Sequence, residues 1–142
     1  MTIAAILGGK GHDVVSVPGD ARLGDVVALL AERRIGAVPV VDGGTVVGIF
    51  SERDVIHALA SEGAAALDAP VRARMTSPAL TVTPAEPVLA ALSLMTRRRI
   101  RHLPVIEDGV VRGFVSIGDL VKYRIDRIES EANAMREYIQ TV

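Results

Sequence analysis

Two short constellations in this chain carry residue types that chemistry can use. Gly48-Ile49-Phe50-Ser51-Glu52-Arg53-Asp54 and Gly113-Phe114-Val115-Ser116-Ile117-Gly118-Asp119 each run an apolar stretch into a serine, with an aspartate three positions on. A serine N-cap followed by an acid is also what an ordinary helix start favours, so either copy alone reads first as a cap. The same arrangement can hold a ligand. Exposed N–H groups at a helix start, with the serine hydroxyl, suit a phosphate. The aspartate would repel that phosphate and must face a neutral donor, for which a ribose diol is the obvious candidate. Apolar residues upstream, Ile35 and Pro39 in one copy and Ile100 and Pro104 in the other, would then form a slot for a flat base.

A duplicated hairpin positions these residues. Residues 34–55 align with 99–120 without a gap at an offset of 65, and nine of the 22 pairs are identical, Pro39/Pro104, Gly48/Gly113, Ser51/Ser116 and Asp54/Asp119 among them. An internal repeat constrains the architecture before any single motif does. In each copy two apolar runs flank turn residues, Asp42-Gly43-Gly44 and Glu107-Asp108-Gly109, which predicts a hairpin. Helical spacing precedes each hairpin: Leu23, Val26, Val27 and Leu30 before the first, Val88, Leu89, Leu92 and Met95 before the second. Arg33-Arg34 and Arg97-Arg98-Arg99 close these helices, as cations suit a helix C-terminus; the second run is either a solvated helix end or a phosphate contact. Asp20 is expected to cap the first helix. Thr83-Pro84-Ala85-Glu86 reads as a capping box with proline at the first position of the second. Val14 to Val17 and Leu80 to Val82 are read as short leading strands. The order per repeat is β-α-β-β-α, which predicts a mixed α/β (α+β) fold of two pseudo-symmetric repeats packed together.

The flanks are less regular. Thr2 to Leu7 predicts a short helical arm. Gly8-Gly9-Lys10-Gly11 lacks P-loop spacing and a preceding strand, so it reads as a flexible connector. Ala60 to Arg74 is expected to be a loose helical end and linker. After Ser116 the second copy departs from the first, because Val121, Ile125, Ile128, Ala132, Met135 and Ile139 continue a heptad seam. Such a stripe needs cover, from its own domain or from a helix of a second copy, and its narrowness favours the second. Expected boundaries are 8–66 and 67–124 for the repeats and 125–142 for the helical extension.

Composition narrows the function. A repeat of roughly 60 residues buries too little surface to be secure alone, so the two copies should share an interface. The chain is 49% hydrophobic and 3% aromatic, with a formal net charge of −1. The core must be aliphatic, and neither charge nor stacking residues suit nucleic-acid binding. Without cysteine there is no disulfide, thiolate metal site or cysteine nucleophile. His12, His57 and His102 are scattered, which argues against a metal cluster. His102 is open between a ligand contact and an inert strand residue; as a lone histidine it lacks the partner a catalytic base needs. The start has no basic leader and no long apolar run, so neither a signal peptide nor a membrane span is expected, and a cytoplasmic protein is the default.

Two copies of Ile-x-x-x-Pro-Val followed by Gly-x-x-Ser-x-x-Asp resemble a tandem pair of cystathionine β-synthase (CBS) domains, the Bateman module. The resemblance runs from about Val14 to Val121, and Arg101 to Val105 with Gly113 to Asp119 is its most specific part. It implies a free-standing bacterial module with clefts between the copies that bind an adenine nucleotide (AMP, ADP, ATP or NAD), and no enzyme activity or cofactor. Carried over by position, Asp54 and Asp119 would hold ribose hydroxyls, with Ser51 and Ser116 near the phosphate or ribose. Ser16 and Val17, and Thr81 and Val82, would border the base from the first strand. Ile35, Gly36 and Ala37, and Ile100, Arg101 and His102, would border it from the hairpin. Arg53 and Gly118 stand where many nucleotide-binding members have Ser or Thr. Because Arg101-His102 replaces Gly36-Ala37, the second site is expected to be the better one. The implied role is a homodimeric sensor of energy or redox state acting on an unidentified regulated protein. The alternative is an interaction module with vestigial clefts.

Overall fold

The computed structural model describes residues 1–141; Val142, the end of the expected C-terminal extension, lies outside them. Two hairpins form where the repeat predicts them. β1 (Ala37–Asp42) pairs antiparallel with β2 (Thr45–Ser51), and β3 (His102–Glu107) with β4 (Val110–Ser116). Each loop is two residues with positive φ at both, Gly43 and Gly44 at 57° and 80°, Asp108 and Gly109 at 53° and 76°. Those signs are the type I′ geometry that matches strand twist, which is why glycine and aspartate occupy the turn. Before each hairpin lies an 11-residue helix, α2 (Leu23–Arg33) or α4 (Val88–Arg98). Both end on an arginine in the left-handed region, Arg34 and Arg99, each with φ 54°.

The leading strands shrink to one bridging residue each. Val17 pairs parallel with Val40 and Val82 with Val105. Pro18, and Pro84 two residues past Val82, lack the N–H that would extend the ladder. The expected caps also fail. α2 starts after Arg22 and α4 after Pro87, neither with a side-chain cap. Asp20 lies inside a turn closed by Ala21 N–H on Pro18 O at 3.1 Å, and Thr83 to Glu86 form a turn closed by Glu86 N–H on Thr83 O at 3.1 Å. Pro87 disfavours the helical region for Glu86, so the helix waits until Val88.

The N–H groups left at those helix starts are met by other segments. Leu23 N–H donates to Ala69 O at 2.8 Å, and Val88 N–H to Met1 O at 3.2 Å. Pro70 bridges Arg22 as Thr2 bridges Pro87, and Val71 N–H meets Ala21 O as Ile3 N–H meets Glu86 O. Residues 1–7 thus do for the second repeat what 69–75 do for the first. α1 (Ile3–Lys10) accordingly buries Ile3, Ile6 and Leu7 among Val88, Met95, Leu103 and Leu120. The Gly8-Gly9-Lys10 stretch continues that helix instead of forming a flexible connector. Following α3 (Glu52–Glu62), the segment expected to be loose forms two 3₁₀ turns, Gly63–Asp68 and Val71–Ala73, and buries Ala66 and Val71 in the first core.

Gly48 and Gly113 mark where these segments cross the hairpins. A Cβ at Gly48 would lie 2.7 Å from Met75 Sδ and 2.8 Å from the Thr76 carbonyl oxygen, and one at Gly113 would lie 2.5 Å from Leu7 Cδ2. Gly48→Ala is expected to destabilise the protein by about 1–3 kcal/mol, because the obstacle is partly backbone and cannot swing aside; chemical denaturation measures it.

The last helix, α5 (Ile117–Thr141), is 25 residues long. It buries Leu120, packs Tyr123 against the second core, and is exposed from Ile125 onward. The core is aliphatic, with Phe50 its one buried aromatic and no buried polar residue among those described. Among the described residues no helix is long and apolar enough to cross a membrane.

Candidate functional site

Both Ser–Asp constellations sit at strand-to-helix turns, as their spacing predicts, and in both the aspartate reaches back to the serine. Asp54 Oδ2 accepts from Ser51 N–H at 2.9 Å and Ser51 Oγ at 3.2 Å. Asp119 Oδ2 accepts from Ser116 N–H at 2.8 Å, and Asp119 N–H donates to Ser116 Oγ at 3.1 Å. The next N–H of each helix is also claimed: Glu52 donates to Gly36 O at 3.0 Å and Ile117 to Arg101 O at 2.7 Å. With these N–H groups engaged, the helix starts have little left for a phosphate. An anion there must rely on side-chain cations.

The two sites then diverge. Around Asp54 lies a cleft of about 690 Å³, within the range of small-molecule sites. Its walls come from both repeats. Ser51, Arg53 and Asp54 at the α3 start face Ile100, Arg101 and His102 at the β3 start, with Gly36 between them. The floor is the inter-repeat linker, including Thr76, Pro78 and Leu80. Asp54 Oδ1 accepts from Thr76 Oγ1 at 3.0 Å. Arg53 Nη1 donates to Arg99 O at 3.2 Å, tying one repeat to the other across the cleft. Four arginines line it, Arg53, Arg98, Arg99 and Arg101, with the acidic residues Glu52 and Asp54. None of the four belongs to an ion pair among the described residues.

His102 stacks on Phe114 with ring centroids 5.6 Å apart and planes 11° from parallel. Burial lowers its pKa and Lys10 lowers it further, against opposing pulls from Asp119 and Glu52. It therefore faces the cleft as a neutral imidazole at pH 7.

At Asp119 the chain supplies its own cation. Lys10, at the end of α1, donates to Asp119 Oδ2 at 2.5 Å and to Phe114 O at 2.7 Å. Burial pushes the Asp119 carboxyl up, but the bonds from Lys10 and the Ser116 N–H outweigh it and hold it below the usual carboxylate range. Arg101 and His102, assigned by position to the Asp119 site, line the Asp54 cleft instead. The Asp54 cleft is thus built across the repeats and not within one.

The remaining expected contacts lie elsewhere. Val17, Ala37 and Val82 are buried in the cores. Pro39 and Pro104 are buried in the hairpins with their carbonyls accepting from Val17 and Val82 N–H, which takes both out of the base slot. Ile35 packs against the first core, while Ser16 and Thr81 are exposed and outside the cleft lining. Sequence reasoning missed Thr76, Pro78, Leu80, Glu52 and Lys10. Arg98 carried a signal in the Arg97-Arg98-Arg99 run. The linker residues had none, because nothing local marks a loop as a cleft floor.

The geometry has close counterparts. The CBS domain profile matches residues 11–61 and 71–126. A CBS-domain protein of Agrobacterium tumefaciens superposes with TM-score 0.84 at 40% identity, over 87% of this chain and 99% of that one. The mitochondrial CBS domain-containing protein CBSX3 of Arabidopsis thaliana is 37% identical over 82% of this chain, which spans 59% of the plant protein. The CBS domain pair of protein MJ0100, solved in complex with 5′-methylthioadenosine and S-adenosyl-L-methionine, shares the fold with TM-score 0.79 at 23% identity, over 89% of this chain and 98% of that one. Two repeats, each matched across its hairpin and Ser–Asp helix start, place this chain in the CBS domain family as a tandem pair.

Proposed function

We propose that the Asp54 cleft binds a phosphorylated adenosine, AMP, ADP, ATP or NAD, as a regulatory ligand, and that the chain is a non-catalytic cytoplasmic sensor acting as a homodimer on a separate protein. One observation carries this reading: one cleft brings four arginines that are outside any ion pair among the described residues beside the two carboxylates of Glu52 and Asp54. Asp54 Oδ1, already a hydrogen-bond acceptor, suits ribose hydroxyls. Ile100, Leu80 and Pro78 offer apolar surface to an adenine ring. The arginines neutralise phosphate, bidentately where geometry allows. MJ0100 supports the adenosine moiety; the guanidinium excess favours a phosphorylated relative of the ligands found there.

Signalling would use the two-repeat construction of the cleft. A ligand touching α3 on one side and β3 on the other favours one spacing of the repeats. It shifts an equilibrium only by its differential affinity for the two spacings. A thermal-shift panel tests the reading. AMP at 100 times its Kd is expected to stabilise by about 2.7 kcal/mol, raising Tm by roughly 5–10 °C, with a smaller effect from 5′-methylthioadenosine at equal concentration. No shift with any adenosine compound would leave an interaction module with vestigial clefts. Product formed from ATP over hours would make the chain an enzyme.

A further inference from the structure

α5 leaves the second core after Tyr123, and from Ile125 to Thr141 each residue is exposed. At 1.5 Å per residue that free stretch is on the order of 25 Å long. Its apolar side chains are not scattered. Ile125, Ala132 and Ile139 fall at one seam position and Val121, Ile128 and Met135 at the other, and Ile125, Ile128, Met135 and Ile139 are 49%, 49%, 59% and 66% exposed. A stripe this regular on a helix this exposed is a coiled-coil seam without its partner.

The flanking charges identify the partner. In a parallel two-stranded coil a residue just before one seam position faces the partner residue five further along. That sets Arg124 against Glu129 and Glu131 against Arg136, opposite charges both times and, by symmetry, twice over. A fully overlapped antiparallel pair would instead oppose Glu129 to Glu129, Glu131 to Glu131 and Lys122 to Arg136, all repulsive. Within one helix Glu131 Oε1 already accepts from Arg127 Nε at 3.3 Å, which leaves its second oxygen for a partner. Leu120 and Tyr123, which meet the body, fall away from the seam positions on the helix, so the body does not cover the seam and two bodies can sit outside the coil.

We propose that α5 pairs with α5 of a second copy as a parallel, in-register coiled coil, so that the two CBS pairs lie at the same end. This gives the homodimer proposed above its orientation. It fails separately from nucleotide binding, because α5 contributes nothing to the cleft.

The chain has no cysteine, so a single introduced thiol reports cleanly. In the parallel pair a seam residue meets its own symmetry mate at disulfide distance. Met135→Cys and Ile128→Cys chains are each expected to form a disulfide-linked dimer on mild oxidation, and Glu137→Cys, on the outer face, is expected to stay unlinked. Linking only when Met135→Cys and Ile125→Cys chains are mixed would mean antiparallel helices and overturn the proposal. Equal linking at Met135→Cys and Glu137→Cys, or none at either seam position, would overturn it too.

Discussion

Asp54→Asn should weaken AMP binding about 100-fold. The ribose diol donates two hydrogen bonds, and each is charge-assisted only while the acceptor is a carboxylate. Such bonds contribute roughly 1.5–3 kcal/mol apiece; losing about 3 kcal/mol across the pair is two decades in Kd. The choice of asparagine matters. Asp54 also caps α3 through Ser51 N–H and Ser51 Oγ, and Asp54→Ala would remove cap and ligand contact together. Asparagine keeps one carbonyl oxygen for the Ser51 N–H, the reach-back bond of the capping box, so the unliganded melting temperature should move less than in Asp54→Ala while the affinity falls. Isothermal titration beside a ligand-free melt separates the two roles. An unchanged Kd would remove Asp54 from ribose recognition.

Lys10→Met should change the number of sites. The native chain is expected to bind one AMP, at Asp54, because Lys10 occupies Asp119 Oδ2 and the Phe114 carbonyl. Methionine keeps the length and apolar stem of lysine but cannot donate, so the variant is expected to bind two AMP per chain, the second more weakly. Native stoichiometry of two would mean that Lys10 does not close the site. A stoichiometry of one in both proteins would mean that removing Lys10 does not open it. A second readout needs no nucleotide. The Asp119 carboxyl lies below its usual range in the folded chain, so its pairing contributes stability that is fully present above the unfolded carboxylate pKa, about 3.9. That contribution is lost as pH falls through the depressed folded value. Lys10→Met should raise the Asp119 pKa in an NMR titration and remove part of that acid sensitivity.

The two copies thus share an ancestor motif and differ in what closes it. The cause is a short length difference between core segment and hairpin. Leu7 and Met75 hold equivalent places against Gly113 and Gly48, as Val17 and Val82 do against β1 and β3. Between those points the stretch leading into the first copy, Gly8 to Ser16, has nine residues, and that leading into the second, Thr76 to Thr81, has six. The extra length lets α1 run on to Lys10 and carries an ammonium group to Asp119. The equivalent linker stops short and offers Asp54 only the Thr76 hydroxyl, at 3.0 Å.

The repeat, both hairpins, their turns, the aliphatic core and the exposed seam of α5 were all legible in the amino-acid sequence. Each rests on short-range regularities: a two-residue turn needs positive φ, a helix face needs a 3.6-residue period, and duplication preserves both. The Ser–Asp turns were legible for the same reason, since serine and aspartate three apart meet within one helical turn. The tertiary structure decided which residues share a cleft. Asp54 faces Ile100 to His102, and residues 1–7 cross to the second repeat while 69–75 serve the first, because each repeat buries its open edge under a segment lying outside the local order of its hairpin. Such contacts depend on how the two halves pack, over separations at which sequence carries no period. That is why Arg101 and His102 read as belonging to Asp119 along the chain and line the cleft of Asp54 in space.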